Sequence, residues 1–280
     1  MLRCGPYTLD LTTPVVMGVL NITPDSFSDG GRFADAEVAL RHALRMVEEG
    51  AALIDIGGES TRPGARAVDA EEEIRRVVPV IEALAARTRV PISIDTSKAA
   101  VMTAAVRAGA SVINDVRALR EPGALEAAAG SGAAICLMHM QGEPRTMQAD
   151  PRYGDVVAEV CDFLRERAEA CRAAGIANDR LLIDPGIGFG KRLEHNLALL
   201  AGLPALIELG WPVLVGVSRK SMLGALLGRA VDERVAGGVA MATAAVLSGA
   251  SIVRTHDVAP TVDALKVAEA LRAAGYAKGE

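Results

Sequence analysis

The chain has 280 residues, half of them hydrophobic and 23% charged, a balance that excludes disorder. Its net charge of -5 and pI near 5.5 exclude a generally basic nucleic-acid surface, so an anionic ligand must be met by a local cluster of Lys, Arg and His. Four cysteines without a CxxC pair suggest neither zinc ligands nor a disulfide frame. With no apolar signal-peptide core in MLRCGPYTLDL and no run long enough to span a bilayer, the expectation is a soluble, cytoplasmic protein with reduced thiols and neither membrane nor nucleic-acid partner.

In chain order, the first dozen residues are expected to cap the floor of the fold. VVMGVLNI from Val15 is the first predicted buried strand, and AEVALRHALRMVEEG is the first helix. That helix carries Val38, Leu40, Ala43, Leu44 and Val47 on one stripe and ends at Gly50. ALIDIGG from Ala52 is the second strand. It is followed by EEEIRRVVPVIEALAARTR, with Ile74, Val77, Val78, Ile81 and Leu84 aligned and a kink expected at Pro79. PISID, SVINDV, AAICLMHM, LLIDPGIG, PVLVGVS and SIVRTH give six further strands, from Pro91, Ser111, Ala133, Leu181, Pro212 and Ser251. Only the connector around GALEAAAGSG is short and weak, and TVDALKVAEALRAAGY is the closing helix. Continuous apolar strands suit a parallel sheet buried on both faces. Eight strand–helix units in one chain of this length predict an α/β fold, a single-domain (β/α)8 TIM barrel over residues 1–280 with a short N-terminal cap segment. A doubly wound sheet is the alternative, with fewer strands as a rule.

Barrels of this kind work at the carboxyl ends of their strands. Those ends are polar all round: Asn21; Asp55, Glu59, Thr61 and Arg62; Asp95; Asn114 and Asp115; His139; Asp184; Ser218, Arg219 and Lys220; Arg254 and His256. Each has a plainer alternative. Thr96 or Ser97 would serve as a helix N-cap, Asp184-Pro185 as a turn opener, Asn114-Asp115 as a turn, Lys220 as a solvated lysine and His256 as a structural histidine. All eight ends being polar together is the feature that the plainer readings do not explain.

Two chemistries separate. Asp95, Asn114 and Asp184 suit a flat heterocycle with several N–H groups, because a carboxylate accepts parallel N–H bonds. Arg62, Lys220, Arg254 and His256 suit an anion such as phosphate, which the ends of strands seven and eight often bind in this fold. A protein-only metal cage has little support, and the glycine loops SDGG, GGESTRPG and PGIGFG match no nucleotide fingerprint.

MGVLNITPDSFSDGG, GAALIDIGGESTRPG, SIDTSK, INDV, LMHMQGEPRTMQ, DPGIGFGK, GVSRKSMLG and VRTHDV closely resemble bacterial dihydropteroate synthases, in order from about Val15 to Val258. The resemblance implies a TIM barrel of folate biosynthesis and a sulfonamide target. Such enzymes join p-aminobenzoate to 6-hydroxymethyl-7,8-dihydropterin diphosphate, giving 7,8-dihydropteroate and pyrophosphate. It implies that Asp95, Asn114, Asp184 and Lys220 hold the pterin, with Met138 and Phe189 lining its slot. It further implies that Asn21 ligates Mg²⁺, that Arg62, Arg254 and His256 take the diphosphate, and that Phe27, Thr61, Pro63 and Ser221 frame the p-aminobenzoate pocket. A homodimer is implied as well.

The expected mechanism is electrostatic. Arg62, Arg254, His256 and Mg²⁺ steady the leaving diphosphate, Asp95 steadies the pterin cation, and the amine attacks in an SN1-like order. Phe27, in a glycine-flanked loop, is expected to wall off the benzene ring, with folding back onto the barrel rim as its alternative. Three rival readings are a methyltetrahydrofolate-dependent methyltransferase barrel, a non-catalytic pterin-binding homologue and a Schiff-base aldolase using Lys220. The Asn21–Phe27 loop and the cations Arg62, Arg254 and His256 disfavour the first.

Overall fold

In the computed structural model, described for residues 1–22, 31–60, 67–143 and 146–276, the chain forms a (β/α)8 barrel. A short antiparallel hairpin comes first, β1 (Leu2–Cys4) with β2 (Tyr7–Leu9). The eight barrel strands are β3 (Val15–Asn21), β4 (Leu53–Gly57), β5 (Ile92–Asp95), β6 (Val112–Asp115), β7 (Ala134–Met138), β8 (Leu181–Asp184), β9 (Leu214–Gly216) and β10 (Ile252–Thr255). They run parallel in the order β8-β7-β6-β5-β4-β3-β10-β9. Ile183 N donates to Pro212 O at 3.0 Å and Ile183 pairs with Val213, which joins β8 to β9 and closes the ring.

Between successive strands lie α1 (Gly31–Glu48), α2 (Ala70–Ala85), α3 (Ala99–Ala108), α4 (Ala124–Ser131) and α5 (Val156–Ala173). The last two crossovers each hold two helices, α6 (Leu193–Ala201) with α7 (Leu203–Ile207) and α8 (Ser221–Leu227) with α9 (Val235–Leu247). Helix α10 (Val258–Ala273) closes the ring of helices. The doubly wound alternative is thereby set aside. The weak connector is α4, eight residues long, and α2 continues through Pro79. In α1 the buried stripe is Ala39, Leu40, Ala43 and Met46, whereas Val38 is 39% exposed at its edge. Asp69 caps α2 by accepting from Glu72 N at 2.8 Å, with Glu71, Glu72 and Glu73 in the positive first turn. Neither Thr96 nor Ser97 caps α3: its N-cap is Lys98, without a side-chain bond, because Ser97 turns the other way and donates to Asp115.

Two cores result. The outer one packs the helices on the outward strand residues, among them Ile54, Ile56, Ile94, Ile113, Ile135 and Ile183. The inner one fills the barrel floor with Met17, Leu53, Val112, Leu182, Leu214 and Ile252, and the hairpin plugs it from below with Leu2 and Cys4. The expected N-terminal cap segment is this hairpin. The period-2 alternation of a strand then fixes the next layer on the inside. Two residues beyond Leu53, Val112, Leu182 and Ile252 stand Asp55, Asn114, Asp184 and Arg254. The inward face thus changes from apolar to charged in a single step along the barrel axis.

Candidate active site

Arg254 stands at the centre of the charged layer. Its Nε donates to Asp55 Oδ2 at 2.6 Å and its Nη2 to Asp95 Oδ2 at 2.9 Å, so one guanidinium joins β10 to β4 and β5. Asn114 Nδ2 donates to the same Asp55 oxygen at 3.1 Å. Asp55 is fully buried, and its Oδ1 has no partner among the described residues. Sequence reasoning places Asp55 among the polar strand ends without a role, and the geometry makes it the anchor shared by Arg254 and Asn114. The signal that could have found it is a carboxylate at the inward position two residues past Leu53.

The second side of the mouth belongs to β8 and β9. Asp184 Oδ1 accepts from Gly186 N at 2.7 Å, so the residue opens the Asp184-Pro185 turn and also faces the barrel mouth. Lys220 Nζ donates to the Ile187 carbonyl and lies 4.9 Å from the centre of the Phe189 ring. A Cβ on Gly216 would lie 3.7 Å from Lys220 Nζ and 3.7 Å from Arg254 Cβ, so this glycine leaves room between the two cations. Phe189 packs on a small apolar cluster of Val116, Met138, Met140 and Met147. Met138 and Phe189 therefore form one apolar wall beside Asp184 and Lys220, consistent with the register pair Met138↔Asp184.

The turn that presents Phe189 is pinned from behind by Lys191, a residue that sequence reasoning passes over. Only 3% exposed, its Nζ lies 2.9 Å from His139 Nδ1 and 3.0 Å from each of the Gly186 and Phe189 carbonyl oxygens. Burial pushes the His139 pKa down to about 3, so the ring is neutral and offers its nitrogen as an acceptor. Gly186 has φ +66, and a Cβ there would run into the His139 carbonyl oxygen, so neither the angle nor the space admits another residue.

Three expected positions lie at the rim. Asn21 ends β3, with Oδ1 converging with Asp95 Oδ2 over Gly57: a Cβ there would be 3.7 and 3.8 Å from them. His256 Nδ1 is 3.1 Å from Ser218 Oγ, and His256 N donates to that oxygen at 3.2 Å. Arg219, at φ 58, is held by Asp257, with Nη2 donating at 2.6 Å, and Ser221 is exposed as the first residue of α8. Asp115 plays a local part instead of lining the site. It accepts from Ser97, from Arg117 N at 2.8 Å and from Leu119 N at 2.8 Å. Phe27, Thr61, Arg62 and Pro63 lie outside the described residues.

Charge is strongly perturbed here. Burial, with the Asp55 charge added, pushes the Asp95 pKa up to about 7 against the pull of Arg254. Asp184 is raised by burial, opposed by Lys220 and the Gly186 N–H. Burial brings Lys220 down to about 8 although Asp184 opposes the change. Burial would also lower Arg254, but Asp55 and Asp95 outweigh it and hold the guanidinium charged. Perturbed carboxylates and a perturbed lysine facing one mouth mark a functional site. They offer carboxylate acceptors, an amide, an aromatic wall and fixed cations within one layer.

The sequence profile of the pterin binding enzymes matches residues 17–256 of this chain. The dihydropteroate synthase of Escherichia coli (strain K12) is 54% identical over 263 residues, 94% of this chain and 93% of that protein. The crystal structure of the Yersinia pestis dihydropteroate synthase with a sulfonamide drug superposes with a TM-score of 0.93 at 56% identity, covering 97% of this chain and 99% of that one. That of the Xanthomonas albilineans enzyme in complex with 7,8-dihydropteroate gives 0.89 at 54% identity, covering 97% and 98%. Matched from the first barrel strand to the last, this chain belongs to the pterin binding enzymes and, among them, to the dihydropteroate synthases.

Proposed function

We infer that this protein is a transferase that condenses p-aminobenzoate with 6-hydroxymethyl-7,8-dihydropterin diphosphate, giving 7,8-dihydropteroate and pyrophosphate, as one pterin-binding barrel. The observation that carries the reading is the placing of Asp95 against Arg254 in the barrel mouth, 2.9 Å apart. The reaction makes a cation and an anion from one bond and needs both kinds of group beside it.

In this reading the aminopyrimidinone edge of the pterin presents its N–H groups to Asp184, while Asn114 and Lys220 meet the remaining edge. Met138 and Phe189 cover the ring faces. The bond between the pterin methylene carbon and the diphosphate oxygen breaks with both electrons going to the oxygen. Arg254 and His256, with Arg62, hold the departing pyrophosphate, and Asp95 stabilises the positive charge left on the pterin. The p-aminobenzoate nitrogen then donates its lone pair to that carbon and loses a proton to solvent. Phe27, Thr61, Pro63 and Ser221 frame the benzoate. The SN1-like order is favoured by the supply of charge of both signs at one mouth, since an amine attacking so reactive an electrophile needs no activated base.

Mg²⁺ fits as an ion carried largely by the substrate. Among the described residues no cluster of three or more His, Cys, Asp or Glu could hold a metal by itself, and Asn21 supplies one amide oxygen at the rim. A hard cation that retains water and phosphate oxygens needs few protein ligands. When bound, it would neutralise charge on the leaving diphosphate.

A homodimer is supported by the apolar surface of the last third of the chain, where Leu227 is 47%, Val231 49% and Val267 59% exposed. Sedimentation equilibrium tests it: a mass of twice the chain is expected, and a monomer at micromolar concentration would refute it. Cytoplasmic location is supported by four buried free cysteines and by no described helix being long and apolar enough to cross a membrane. The enzymatic reading is tested by calorimetry with dihydropterin diphosphate, with and without Mg²⁺, and then by pyrophosphate release on adding p-aminobenzoate. Binding without release would favour a non-catalytic pterin-binding homologue.

A further inference from the structure

Away from the barrel axis, three charged side chains from three elements meet. Lys98 Nζ lies 2.5 Å from Glu59 Oε2 and 2.5 Å from Glu73 Oε2. Glu59 lies just past β4, Lys98 precedes α3, and Glu73 stands in the first turn of α2. Glu73 is fully buried, and its Oε1 has no partner among the described residues. One ammonium between two carboxylates, one of them wholly desolvated, is a poor device for stability, since desolvation offsets the attraction. The arrangement is better explained by the segments it holds in place.

Glu59 uses both oxygens. Oε2 takes Lys98, and Oε1 accepts from Val68 N at 3.1 Å, so one carboxylate ties the two ends of the β4–α2 connection together. Arg76 Nη1 adds a bond to Gly58 O at 2.9 Å. On the other side of Lys98, Ser97 donates to Asp115 at the end of β6. The run Asp95–Lys98 is therefore pinned to the β4 connection by its fourth residue and to the β6 end by its third. Asp95, its first residue, faces Arg254.

We propose that Lys98 is a positioning residue for the transfer reaction: its double ion pair with Glu59 and Glu73 sets the spacing between Asp95 and the stem of the β4–α2 connection. The proposal rests on the proposed function, in which Asp95 stabilises the pterin cation and the second substrate enters beside that connection. It assigns Lys98 no contact with either substrate.

The test uses the full chain with Lys98→Met and Lys98→Arg. The Met variant is expected to lose about 10-fold in kcat/KM for p-aminobenzoate, because small misplacements near a reacting centre are costly. Its calorimetric Kd for dihydropterin diphosphate should stay within about 3-fold, since Asn114, Asp184 and Lys220, which meet the pterin edge, are held by bonds other than those of Lys98. Hydrogen exchange at the Val68 amide should speed up in the Met variant, and Lys98→Arg should restore both rate and protection. Unchanged kcat/KM in Lys98→Met, or a loss shared equally by diphosphate binding, overturns the proposal. Should Lys98→Met not fold, Glu59→Gln removes the charge partner while keeping an acceptor for Val68; wild-type kcat/KM there overturns it equally. A wild-type protein that releases no pyrophosphate would defeat the functional reading instead, and Val68 exchange would still judge the clasp.

Discussion

Arg254 Nη2 and Asp95 Oδ2 lie 2.9 Å apart across the barrel mouth, and the same guanidinium reaches Asp55 Oδ2 at 2.6 Å. Two carboxylates thus share one cation in a layer that water reaches poorly. Burial, with the one excess negative charge of this trio added, explains why Asp95 takes up a proton far more readily than an ordinary carboxylate. Sorting the site residues by charge alone places Arg254 with an anion-binding group, apart from the acids. The fold places it between them, available to an incoming anion only while it remains anchored by Asp55.

Replacing Arg254 by Lys should therefore be far from conservative. A single ammonium cannot reproduce the two directed bonds to Asp55 and Asp95. A fall in kcat/KM of about 100-fold is expected, the size of losing a fixed donor at developing charge. Circular dichroism should remain that of the wild type. Steady-state kinetics with both substrates checks this.

The pH profile of kcat/KM should be bell-shaped. Below about 7 Asp95 gains a proton and can no longer offset a cation, so activity falls toward acid. Above about 8 Lys220 loses its proton and activity falls toward alkali. Asp55→Asn removes the neighbouring like charge, so the acid limb should move to lower pH. Lys220→Arg keeps its charge throughout and should shift the alkaline limb upward. The raised Asp95 pKa also means that its contribution to stability is full below the ordinary carboxylate range and is lost as pH rises through about 7.

Gly186→Ala should abolish pterin binding. The new Cβ would meet the His139 carbonyl oxygen at a left-handed φ of +66, forcing apart the turn that Lys191 ties together. Calorimetry should show no heat with dihydropterin diphosphate, while far-ultraviolet dichroism keeps the barrel signature. Binding at wild-type strength would show that this turn does not shape the site.

Leu53→Ala tests the floor separately from the mouth. The side chain is fully buried among the inward apolar residues two positions before Asp55. Truncation should destabilise the protein by about 3 kcal/mol, as buried leucines usually do. With stability to spare, kcat well below the melting temperature should stay within about 3-fold. Denaturant unfolding and kinetics on the same preparation check both halves.

Most of the architecture was legible because parallel barrel strands are buried on both faces and appear as uninterrupted apolar runs. Their polar terminations, from Asn21 to His256, were legible for the same reason: the apolar run stops where the strand leaves the core. Partners that meet only in the fold were not legible. Asp55 and Arg254 stand 199 residues apart, and no local pattern announces their bond. Glu73 sits in a run of three glutamates at a helix start, where dipole compensation on a solvated turn is the natural reading. In the fold it is buried instead, against Gly58 just past β4 and with Lys98 on its Oε2. Ser97 as a helix cap is a reasonable local inference, but the helix starts one residue later and the hydroxyl is turned to donate to Asp115 at the neighbouring strand end of the same rim. Val38 satisfied the helical period yet lies at the edge of the buried stripe, because the period fixes a face and not its width.

The central claim is that Asp95 stabilises a pterin cation formed before the amine arrives. Dihydropterin diphosphate carrying oxygen-18 at the bridging position tests it when incubated with the enzyme and Mg²⁺ in the absence of p-aminobenzoate. The account predicts that the label scrambles into the non-bridging positions of the diphosphate, and that Asp95→Asn suppresses this scrambling while diphosphate binding survives. No scrambling in the wild-type enzyme until amine is added, or equal scrambling in Asp95→Asn, would contradict it.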